Sequence, residues 1–559
     1  MLNGGAGNDT IDFGATLNGS DTVNGGDGTD TLVLTDAGVQ AVNALSISEV
    51  NNLNTNMSNV EVLSIGSLAT AIDVGRLDGI STLTLAAKGA NDITGLGATN
   101  SITLTSANTS AFALALANAT GSTDVINLTL NASGSIDSTA GGAISVSSVE
   151  TVNITANDSD TTSTGATADA AHTMTLTDAT STDVLSRIAV TGNAASLNLT
   201  LTGSTAVTTL DGSAFSGALT ATLLSTAAAT VTGGAGADVL TGGSGADYIV
   251  GGAGNDSLQG GSGSDTIDGG AGTNTLAAYT VGGTDSGTVA TTGMVVNLGS
   301  TAITNATINT QTSQHLAQSI TSVAAGTSVL LFGSSSAYSS ASVDTLLNIT
   351  GVAGSDGIDY IVGSSSADAL AGLAGNDYIK GGEGADTITG GAGNDTIDLT
   401  EATQSADTVV FSGVTAALNG SDTITGFVVA NDMLDVGALQ NATSGTSITL
   451  ATTVALATEG TSIAVAGGKT YVAQYTTAAT IDTAAEVKTA LTDTGVLDAV
   501  DFADSGTGYL IISGADATTT LYVYGITMDG TAGMGAGDSV VLLGTITTDS
   551  TTLTTANLI

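Results

Sequence analysis

The 559-residue sequence contains no cysteine, proline or tryptophan, and only six lysine and arginine residues. The absence of cysteine excludes disulfides, thiolate metal sites and a cysteine nucleophile. Six basic residues cannot neutralise a phosphate backbone, so nucleic acid is excluded as a partner. No run of about 18 apolar residues occurs, so no membrane-spanning helix is predicted. The first residues lack a basic segment followed by an apolar one, so a Sec-type signal peptide is not predicted.

Motifs that carry catalysis are also missing. The two histidines, His172 and His315, lie far apart, and neither belongs to an H-E-x-x-H zinc motif. The sequence has neither a G-x-S-x-G nucleophile motif nor a G-x-x-x-x-G-K-[ST] phosphate loop. We therefore expect that the protein is not an enzyme.

The acidic residues, by contrast, are abundant and strongly biased toward aspartate. Aspartate and glutamate total 51, the formal net charge is −45, and only seven of these acids are glutamate. Aspartate is favoured in turns and as a ligand of hard cations such as Ca²⁺. A salt-adapted surface is expected to use both acids freely. The bias therefore favours calcium ligation, with solubility or halophily as the alternative.

Glycine, with 76 residues, is concentrated in nonapeptide repeats. Residues 233–277 divide without a gap into GGAGADVLT, GGSGADYIV, GGAGNDSLQ, GGSGSDTID and GGAGTNTLA, and residues 354–398 divide into five more. Further copies lie at residues 4–12, 16–33 and 417–425. Glycine permits a positive φ and a close approach of a cation, while aspartate and the turn carbonyls supply oxygen ligands. The last triplet of a repeat, such as Val239–Thr241, predicts a short strand with one inward apolar side chain.

This G-G-x-G-x-D-x-U-x pattern resembles the RTX (repeat-in-toxin) calcium-binding family. The resemblance implies an all-β fold, an elongated parallel β-solenoid or β-roll with calcium-binding turns. It further implies that two nonapeptides form one turn, that repeats i and i+2 stack, and that their aspartates share Ca²⁺, which is the implied cofactor in several copies. The implied metal ligands are Asp9, Asp21, Asp30, Asp238, Asp247, Asp256, Asp265, Asp359, Asp368, Asp377, Asp386, Asp395 and Asp422.

Applied to this sequence, the resemblance implies that these aspartates pair across neighbouring turns. The implied pairs are Asp238 with Asp256, Asp247 with Asp265, Asp359 with Asp377, Asp368 with Asp386, and Asp377 with Asp395. Asn274 replaces aspartate in the fifth repeat of the first array, so the site that it shares with Asp256 is expected to lose a charge. The repeats GSSSADALA and GLAGNDYIK lack glycines, which weakens the expectation for sites on Asp368 and Asp377. Three tyrosines at an x position are predicted to point outward, namely Tyr248, Tyr360 and Tyr378.

Residues 35–230 are rich in Thr, Ser, Ala and Asn that alternate with Val, Leu and Ile. Alternation of this kind predicts half-buried strands, here of a β-solenoid with little helix. The sequence V-E-V-L-S-I at residues 60–65 recurs as V-E-T-V-N-I at residues 149–154. We interpret both copies as core strands of the solenoid, with calcium or partner binding by Glu61 and Glu150 as the alternative.

A narrower resemblance begins with L-A-N-A-T-G-S-T-D-V-I-N-L-T-L at residues 116–130, ahead of the second V-E motif. The motifs V-T-G-N-A at residues 190–194 and G-S-T-A-V-T at residues 203–208 follow, and then the first array. This order resembles the C-terminal, lattice-forming part of RTX-type surface-layer (S-layer) proteins of alphaproteobacteria, most clearly over roughly residues 16–260.

The S-layer resemblance implies a structural protein that folds and self-assembles into a two-dimensional lattice on the cell surface when it binds Ca²⁺. Its partners would be further copies of itself and, through an anchor absent from this chain, cell-surface polysaccharide. The resemblance also implies export by type I secretion, with the signal in the C-terminal tail, residues 551–559. The alternatives are a calcium-rigidified RTX adhesin and the non-catalytic RTX part of a secreted protein. Because Met1 leads directly into a repeat, we interpret the chain as a fragment of a longer protein, with a separate anchor chain as the alternative.

The composition predicts six segments along the chain. They are RTX repeats that form the cut edge of a longer roll (1–34), a Thr/Ala-rich β-solenoid (35–230), an RTX β-roll (231–278), an inserted β segment (279–353), a second RTX β-roll (354–425) and a C-terminal β domain with the secretion signal (426–559). Within the last segment, residues 483–491 predict a short helix, and residues 508–512 and 520–524 predict a strand pair.

Overall fold

The structure is a computed structural model in which half of the chain is strand and 9% is helix. It describes residues 1–86, 89, 92–106, 110–132, 136–138, 142–159, 170–178, 184–277, 293–312, 321–331, 343–413, 415–435, 463–464, 472–476, 484–490, 500–501, 507–513, 520–527 and 539–548. The chain divides into two compact units, Met1–Asn274 and Thr275–Ile559. The six predicted segments stay a prediction.

The first unit is a parallel β-solenoid in which successive turns add strands to two main sheets. One sheet contains Thr10–Gly14, Thr31–Leu34, Val62–Ile65, Thr82–Leu85, Ser101–Leu104, Val125–Ala132, Thr151–Asp158, Arg187–Gly192, Thr209–Phe215, Thr230–Thr232, Tyr248–Ala253 and Thr266–Ala271. The other contains Ile72–Asp73, Ile93–Leu96, Phe112–Leu116, Ile144–Val146, Ala171–Asp178, Ser196–Thr202, Ala218–Thr222, Val239–Thr241 and Ser257–Gln259, with Asp137–Ser138 beside Ala171–Asp178. A small third sheet contains Leu2–Ala6, Val23–Asp27 and Met57–Ser58.

The register in the first array confirms that two nonapeptides make one turn. Val239 pairs with Ser257, and Tyr248 pairs with Thr266, so each strand stacks on the strand 18 residues further along. The central residue of each triplet points inward, as predicted: Leu240, Ile249, Leu258 and Ile267 are fully buried. This stacking of one apolar side chain on its equivalent in the next turn builds a continuous narrow core.

Two helices interrupt the solenoid where the sequence predicts strands with little helix. They span Asp36–Ala44 and Ile47–Asn56, and a short 3-10 helix follows at Val74–Arg76. Ser46 and Glu49 form a capping box, in which each side chain accepts a hydrogen bond from the other residue's backbone N–H. Such a box satisfies helix N-terminal amides that otherwise lack partners. The expectation of little helix is therefore wrong at this position, and the cap is the signal that reveals it.

The second unit repeats the parallel two-sheet arrangement. One sheet contains Gly293–Asn297, Tyr360–Val362, Tyr378–Lys380, Thr396–Asp398, Asp422–Phe427 and Ser539–Thr548. The other contains Thr275–Leu276, Gly351–Ser355, Ala369–Ala374, Thr387–Ala392, Thr408–Val410 and Met433–Asp435. The remaining strands are Ile303–Thr304, Ser322–Val323, Thr327–Leu331, Val343–Leu347, Ile463–Ala464, Val472–Thr476, Val500–Asp501, Thr507–Ser513 and Thr520–Thr527. The helices span Asn305–Thr312, Ala416–Asn419 and Ala484–Ala490.

The segment ahead of the second array covers two of its tyrosines. Strand Gly293–Asn297 pairs in parallel with Tyr360–Val362 and antiparallel with Thr327–Leu331. Tyr360 and Tyr378 are only 4% and 8% exposed, and their rings stack with centroids 4.7 Å apart. The prediction that they point to solvent is therefore wrong, because the inserted segment packs over them. Tyr248, which has no such cover, is 45% exposed as predicted.

The C-terminal elements agree with the sequence. The predicted short helix is Ala484–Ala490, and the predicted strand pair is Thr507–Ser513, antiparallel to Thr520–Thr527. The tail at 551–559, where a secretion signal is expected, lies outside the described residues. Of the helices in the described ranges, none has the length and apolar character needed to cross a membrane.

The stacked core predicts a sharp contrast between two neighbouring residues of one triplet. Leu240→Ala removes a fully buried side chain, and we expect it to cost about 2–5 kcal/mol of unfolding free energy. Val239→Ala changes a side chain that is 45% exposed and should cost about 0.5 kcal/mol or less. Urea unfolding of both variants in saturating Ca²⁺ tests this contrast. Equal midpoints for the two variants would contradict the assigned inward and outward positions.

Candidate metal centre: rows of buried aspartates

In the first array, each repeat aspartate receives a backbone hydrogen bond from the turn before it. The backbone N of Asp238 donates to Asp256 Oδ1 at 2.8 Å, and the N of Asp256 donates to Asn274 Oδ1 at 3.0 Å. The N of Asp247 donates in the same way to Asp265 Oδ1 at 2.8 Å. The side-chain oxygens therefore form rows along the turns, with one oxygen of each group fixed by a main-chain donor. We call these sets the aspartate rows.

The second array carries two such rows, and every pair implied by the sequence occurs in adjacent turns. The N of Asp359 donates to Asp377 Oδ1 at 2.8 Å, and the N of Asp377 donates to Asp395 Oδ1 at 2.8 Å. In the other row, the N of Asp368 donates to Asp386 Oδ1 at 2.9 Å. The stacking of the predicted pairs is thus observed, and their role as metal ligands stays a prediction.

The rows of the second unit continue past the last nonapeptide. The N of Asp395 donates to Asp422 Oδ1, the N of Asp386 to Asp407 Oδ1 and the N of Asp407 to Asp432 Oδ1, all at 3.0–3.1 Å. These spacings are 27, 21 and 25 residues rather than 18. Asp407 and Asp432 were not among the predicted ligands, because the glycines before them are lost. The part of the repeat pattern that remains is the aspartate with an apolar residue two positions later, as in D-T-V at residues 407–409 and D-M-L at residues 432–434.

Near the chain start, a glutamate takes the place of the next aspartate. The N of Asp9 donates to Asp30 Oδ1 at 2.7 Å, and the N of Asp30 donates to Glu61 Oε2 at 2.8 Å. The N of Asp124 donates likewise to Glu150 Oε2 at 2.8 Å. The two V-E motifs therefore place a carboxylate in the position that aspartate holds in the nonapeptides.

Asp21 lies outside these rows. Its Oδ2 accepts a hydrogen bond from the N of Asn18 at 2.8 Å, within a tight turn, and its side chain is only half-buried. Of the predicted ligands, Asp21 is the one that the structure places in a local turn and not against a neighbouring repeat.

The aspartates fall into two classes according to their second oxygen. In the closed class, donors of the protein satisfy both oxygens: Asp238 accepts from the N of Leu219 and of Gly234, at 2.7 and 2.6 Å. Asp247 and Asp359 also accept from backbone N–H groups at both oxygens, and Asp368 accepts from the N and the hydroxyl of Ser364. In the open class, among the residues that the structure describes, Oδ2 is buried and has no hydrogen-bond partner. This class contains Asp9, Asp30, Asp256, Asp377 and Asp386.

The conformation of the second repeat residue accounts for the difference between Asp238 and Asp256. In the closed repeat, the N of Gly234 donates to the carboxylate of Asp238 four residues later. In the open repeat, the equivalent Gly252 has a φ of +112°, and its strand, Tyr248–Ala253, continues through the glycines. A side chain at Gly252 would collide with the carbonyl oxygen of Gly234 in the turn before. Glycine adopts this conformation and contact without strain, and Asp256 Oδ2 is left without its amide donor. Leu373, the equivalent residue ahead of the open Asp377, also has a positive φ, of +75°.

Burial and the repulsion between neighbouring carboxylates make ionisation of the aspartate rows unfavourable. Burial, followed by the neighbouring carboxylates, raises the pKa of Asp377 to about 9 and those of Asp386 and Asp407 to about 7. Burial also raises the pKa of Asp422, with the carboxylate of Asp395 as the next cause. Buried carboxylates are stable only when protonated, paired or bound to a cation.

Basic side chains do not supply this neutralisation in the described part of the chain. Its two ion pairs join Arg187 to Asp211 at 2.7 Å and Lys380 to Asp398 at 3.3 Å, and neither involves a carboxylate of the rows. Unpartnered, preoriented carboxylate oxygens beside main-chain carbonyls are hard donors of the kind that Ca²⁺ takes in groups of six to eight. The residues present therefore fit Ca²⁺, with the open class as the leading ligands.

Comparison with known protein families agrees with this geometry. The family of the RTX calcium-binding nonapeptide repeat matches residues 1–17, 15–34, 227–258, 241–276, 353–387 and 362–397. The chain therefore contains RTX calcium-binding repeats in a parallel β-solenoid, and these repeats indicate a calcium-binding protein of the secreted type. No curated protein matches the chain.

The two classes predict opposite effects of removing one charge. Asp377→Asn keeps the oxygen that accepts from Asp359 and removes a buried, repelled charge, as Asn274 does naturally in the first array. We expect it to raise the unfolding free energy in chelator by on the order of 1–3 kcal/mol and to weaken Ca²⁺ binding.

Asp359→Asn is the matched comparison, because it replaces one oxygen of a carboxylate whose two oxygens already accept hydrogen bonds from the N of Met294 and of Ser355. This variant should be less stable than the parent in chelator. Urea unfolding and calcium titration of both variants check the pair. A loss of calcium-free stability in Asp377→Asn would contradict the open class.

The raised pKa values predict an unusual pH dependence without calcium. The pKa of Asp377 in the folded chain lies above the ordinary value of 3.8 that we take for the unfolded chain. The folded chain therefore binds more protons than the unfolded chain, and its stability falls as pH rises. The loss reaches about 1.4 kcal/mol per pH unit for each such carboxyl. Asp211 and Asp398 have lowered pKa values and finish titrating at more acidic pH.

Urea midpoints between about pH 5 and about pH 8 test this dependence. In EDTA the midpoint should fall with pH, and in saturating Ca²⁺ the fall should vanish, because the cation replaces the protons. A calcium-free midpoint that rises across this range would contradict the electrostatic account of the rows.

Proposed function

We propose that the chain is a structural surface-layer protein that folds and self-assembles into a two-dimensional lattice on the cell surface when it binds Ca²⁺. The observation that carries the calcium dependence is the set of buried carboxylates with an unpartnered oxygen, stacked turn upon turn. The lattice role is supported by the sequence resemblance over roughly residues 16–260 to the lattice-forming part of RTX-type alphaproteobacterial S-layer proteins.

Calcium concentration would act as the assembly signal. Extracellular-type sites bind Ca²⁺ with dissociation constants of about 10⁻⁴–10⁻³ M, so they stay mostly unfilled in a cytosol. The ionised rows then repel one another, which favours an unfolded chain that suits export through a type I secretion channel. Outside the cell, each site at about 100 times its dissociation constant adds roughly 2.7 kcal/mol to the folded state.

A structural role without catalysis is part of the proposal. His172 is fully buried, and both ring nitrogens are engaged: Nδ1 accepts from the N of Ile136 at 3.1 Å, and Nε2 lies 3.0 Å from the O of Asn157. A histidine held in this way has no free nitrogen for acid–base chemistry. His315 lies outside the described residues.

The partners in this proposal are further copies of the same chain. A sheet requires a repeating contact in two directions, which a single chain species supplies through heterologous interfaces. Cell-surface polysaccharide is the second partner in this proposal. The alternatives, a calcium-rigidified adhesin and the non-catalytic RTX part of a secreted protein, agree equally well with the repeats.

Negative-stain electron microscopy of the purified chain distinguishes the lattice proposal from the adhesin alternative. With about millimolar Ca²⁺ we expect ordered two-dimensional sheets, and in chelator we expect none. The variant Asp256→Asn/Asp377→Asn, which removes one open carboxylate from each array, should need a higher Ca²⁺ concentration to form sheets. Calcium-dependent folding into particles that stay monomeric at all concentrations would overturn the lattice proposal and favour an adhesin.

A further inference from the structure

One carboxylate of the second array accepts two hydrogen bonds from the segment after the last nonapeptide. Glu383 lies in the repeat GGEGADTIT, and its two oxygens accept hydrogen bonds from the N of Ala402 at 2.9 Å and of Thr403 at 3.0 Å. These contacts fix the residues next to Glu401 over the turn that contains Asp386.

Three carboxylates meet at this place. One oxygen from each of Asp386, Glu401 and Asp407 lies within 4.8 Å of the others. A backbone amide holds each group: Asp386 Oδ1 accepts from Asp368 at 2.9 Å, Glu401 Oε2 from Ser405 at 2.6 Å and Asp407 Oδ1 from Asp386 at 3.0 Å. Main-chain hydrogen bonds therefore hold the three carboxylates close to one another.

Two of these groups also have a buried oxygen without a partner. Asp386 is 1% exposed, and its Oδ2 has no hydrogen-bond partner in the described structure; the same holds for the buried Oε1 of the half-buried Glu401. Asp407 is also 1% exposed. Buried carboxylate oxygens that are fixed and unpaired indicate a missing positive ligand, because leaving them ionised and unpaired is strongly unfavourable.

We propose that Asp386, Glu401 and Asp407 together bind one Ca²⁺ in a site that two carboxylates from beyond the nonapeptides complete. Three carboxylates supply hard oxygen donors and enough negative charge for a divalent cation. Glu401 and Asp407 lie beyond residue 397, where the match to the nonapeptide family ends. The inference concerns this one ion and holds whether or not the chain assembles into sheets.

Counting bound ions tests the proposal. Equilibrium dialysis of the full chain with ⁴⁵Ca²⁺ should show that Glu401→Gln binds one ion fewer than the parent. Asp356→Asn is the matched control, because it removes one exposed carboxylate from the same array and should bind the parental number. An unchanged number and affinity in Glu401→Gln would overturn the proposal.

A double variant separates one shared site from two independent sites. Asp407→Asn and Glu401→Gln should each lose the same ion, so the double variant should lose one ion and not two. Loss of two ions would contradict a shared site.

If Glu401→Gln fails to fold, as judged by circular dichroism in excess Ca²⁺, Glu401→Asp provides the second test. It keeps the charge but withdraws the oxygens by one methylene, and the weakest-binding ion should then bind at least about tenfold more weakly. Parental binding by Glu401→Asp would overturn the assignment of Glu401. In all arms, the ions of the repeats remain countable, so loss of this site is distinguishable from loss of calcium binding as a whole.

Discussion

A parallel solenoid stacks each residue on its equivalent in the next turn, and this geometry places like charges in rows. In both arrays, the carboxylate of one turn accepts a hydrogen bond from the backbone of the previous turn, as Asp256 does from Asp238 and Asp395 from Asp377. The same contact that aligns the turns therefore brings buried negative charges together. The fold cannot keep this alignment in neutral water unless protons or cations offset the charge.

The repeats differ in how they meet this constraint. Asp238 and Asp359, in the opening repeats of the two arrays, have both oxygens satisfied by the protein. Asp256 and Asp377, one turn later, have an oxygen without a donor. Each array thus begins on a turn whose carboxylate is fully hydrogen-bonded within the protein and continues into turns that keep one unpartnered oxygen.

Much of this arrangement follows from periodicity. The repeat pattern predicts the inward side chains such as Leu240, the resemblance to RTX repeats implies the stacking of repeats 18 residues apart and the pairing of aspartates, and the structure has all three. These features depend on the repeats, in which each residue has the same surroundings as the residue at the same repeat position in the next turn. For the same reason, the fold class is predictable from sequence alone.

The remainder depends on contacts that no repeat encodes. The burial of Tyr360 results from a segment about 65 residues earlier in the chain, where Met294 also donates to Asp359. Asp407 and Asp432 join the rows at spacings of 21 and 25 residues, and the glycines that precede a repeat aspartate are absent before both. The division into open and closed carboxylates follows the φ of the second repeat residue, which differs between Gly234 and Gly252 although both are glycine.

The central claim is that Ca²⁺ occupies the space beside the open carboxylates. Anomalous X-ray scattering from crystals of the chain grown with Ca²⁺ measures this directly, because it locates the ions without reference to the protein ligands. The account predicts anomalous peaks next to the Oδ2 atoms of Asp256 and Asp377, at the Ca–O distance of about 2.3–2.6 Å. Well-ordered arrays without peaks at these atoms would contradict it, because the rows would then be neutralised by protons alone.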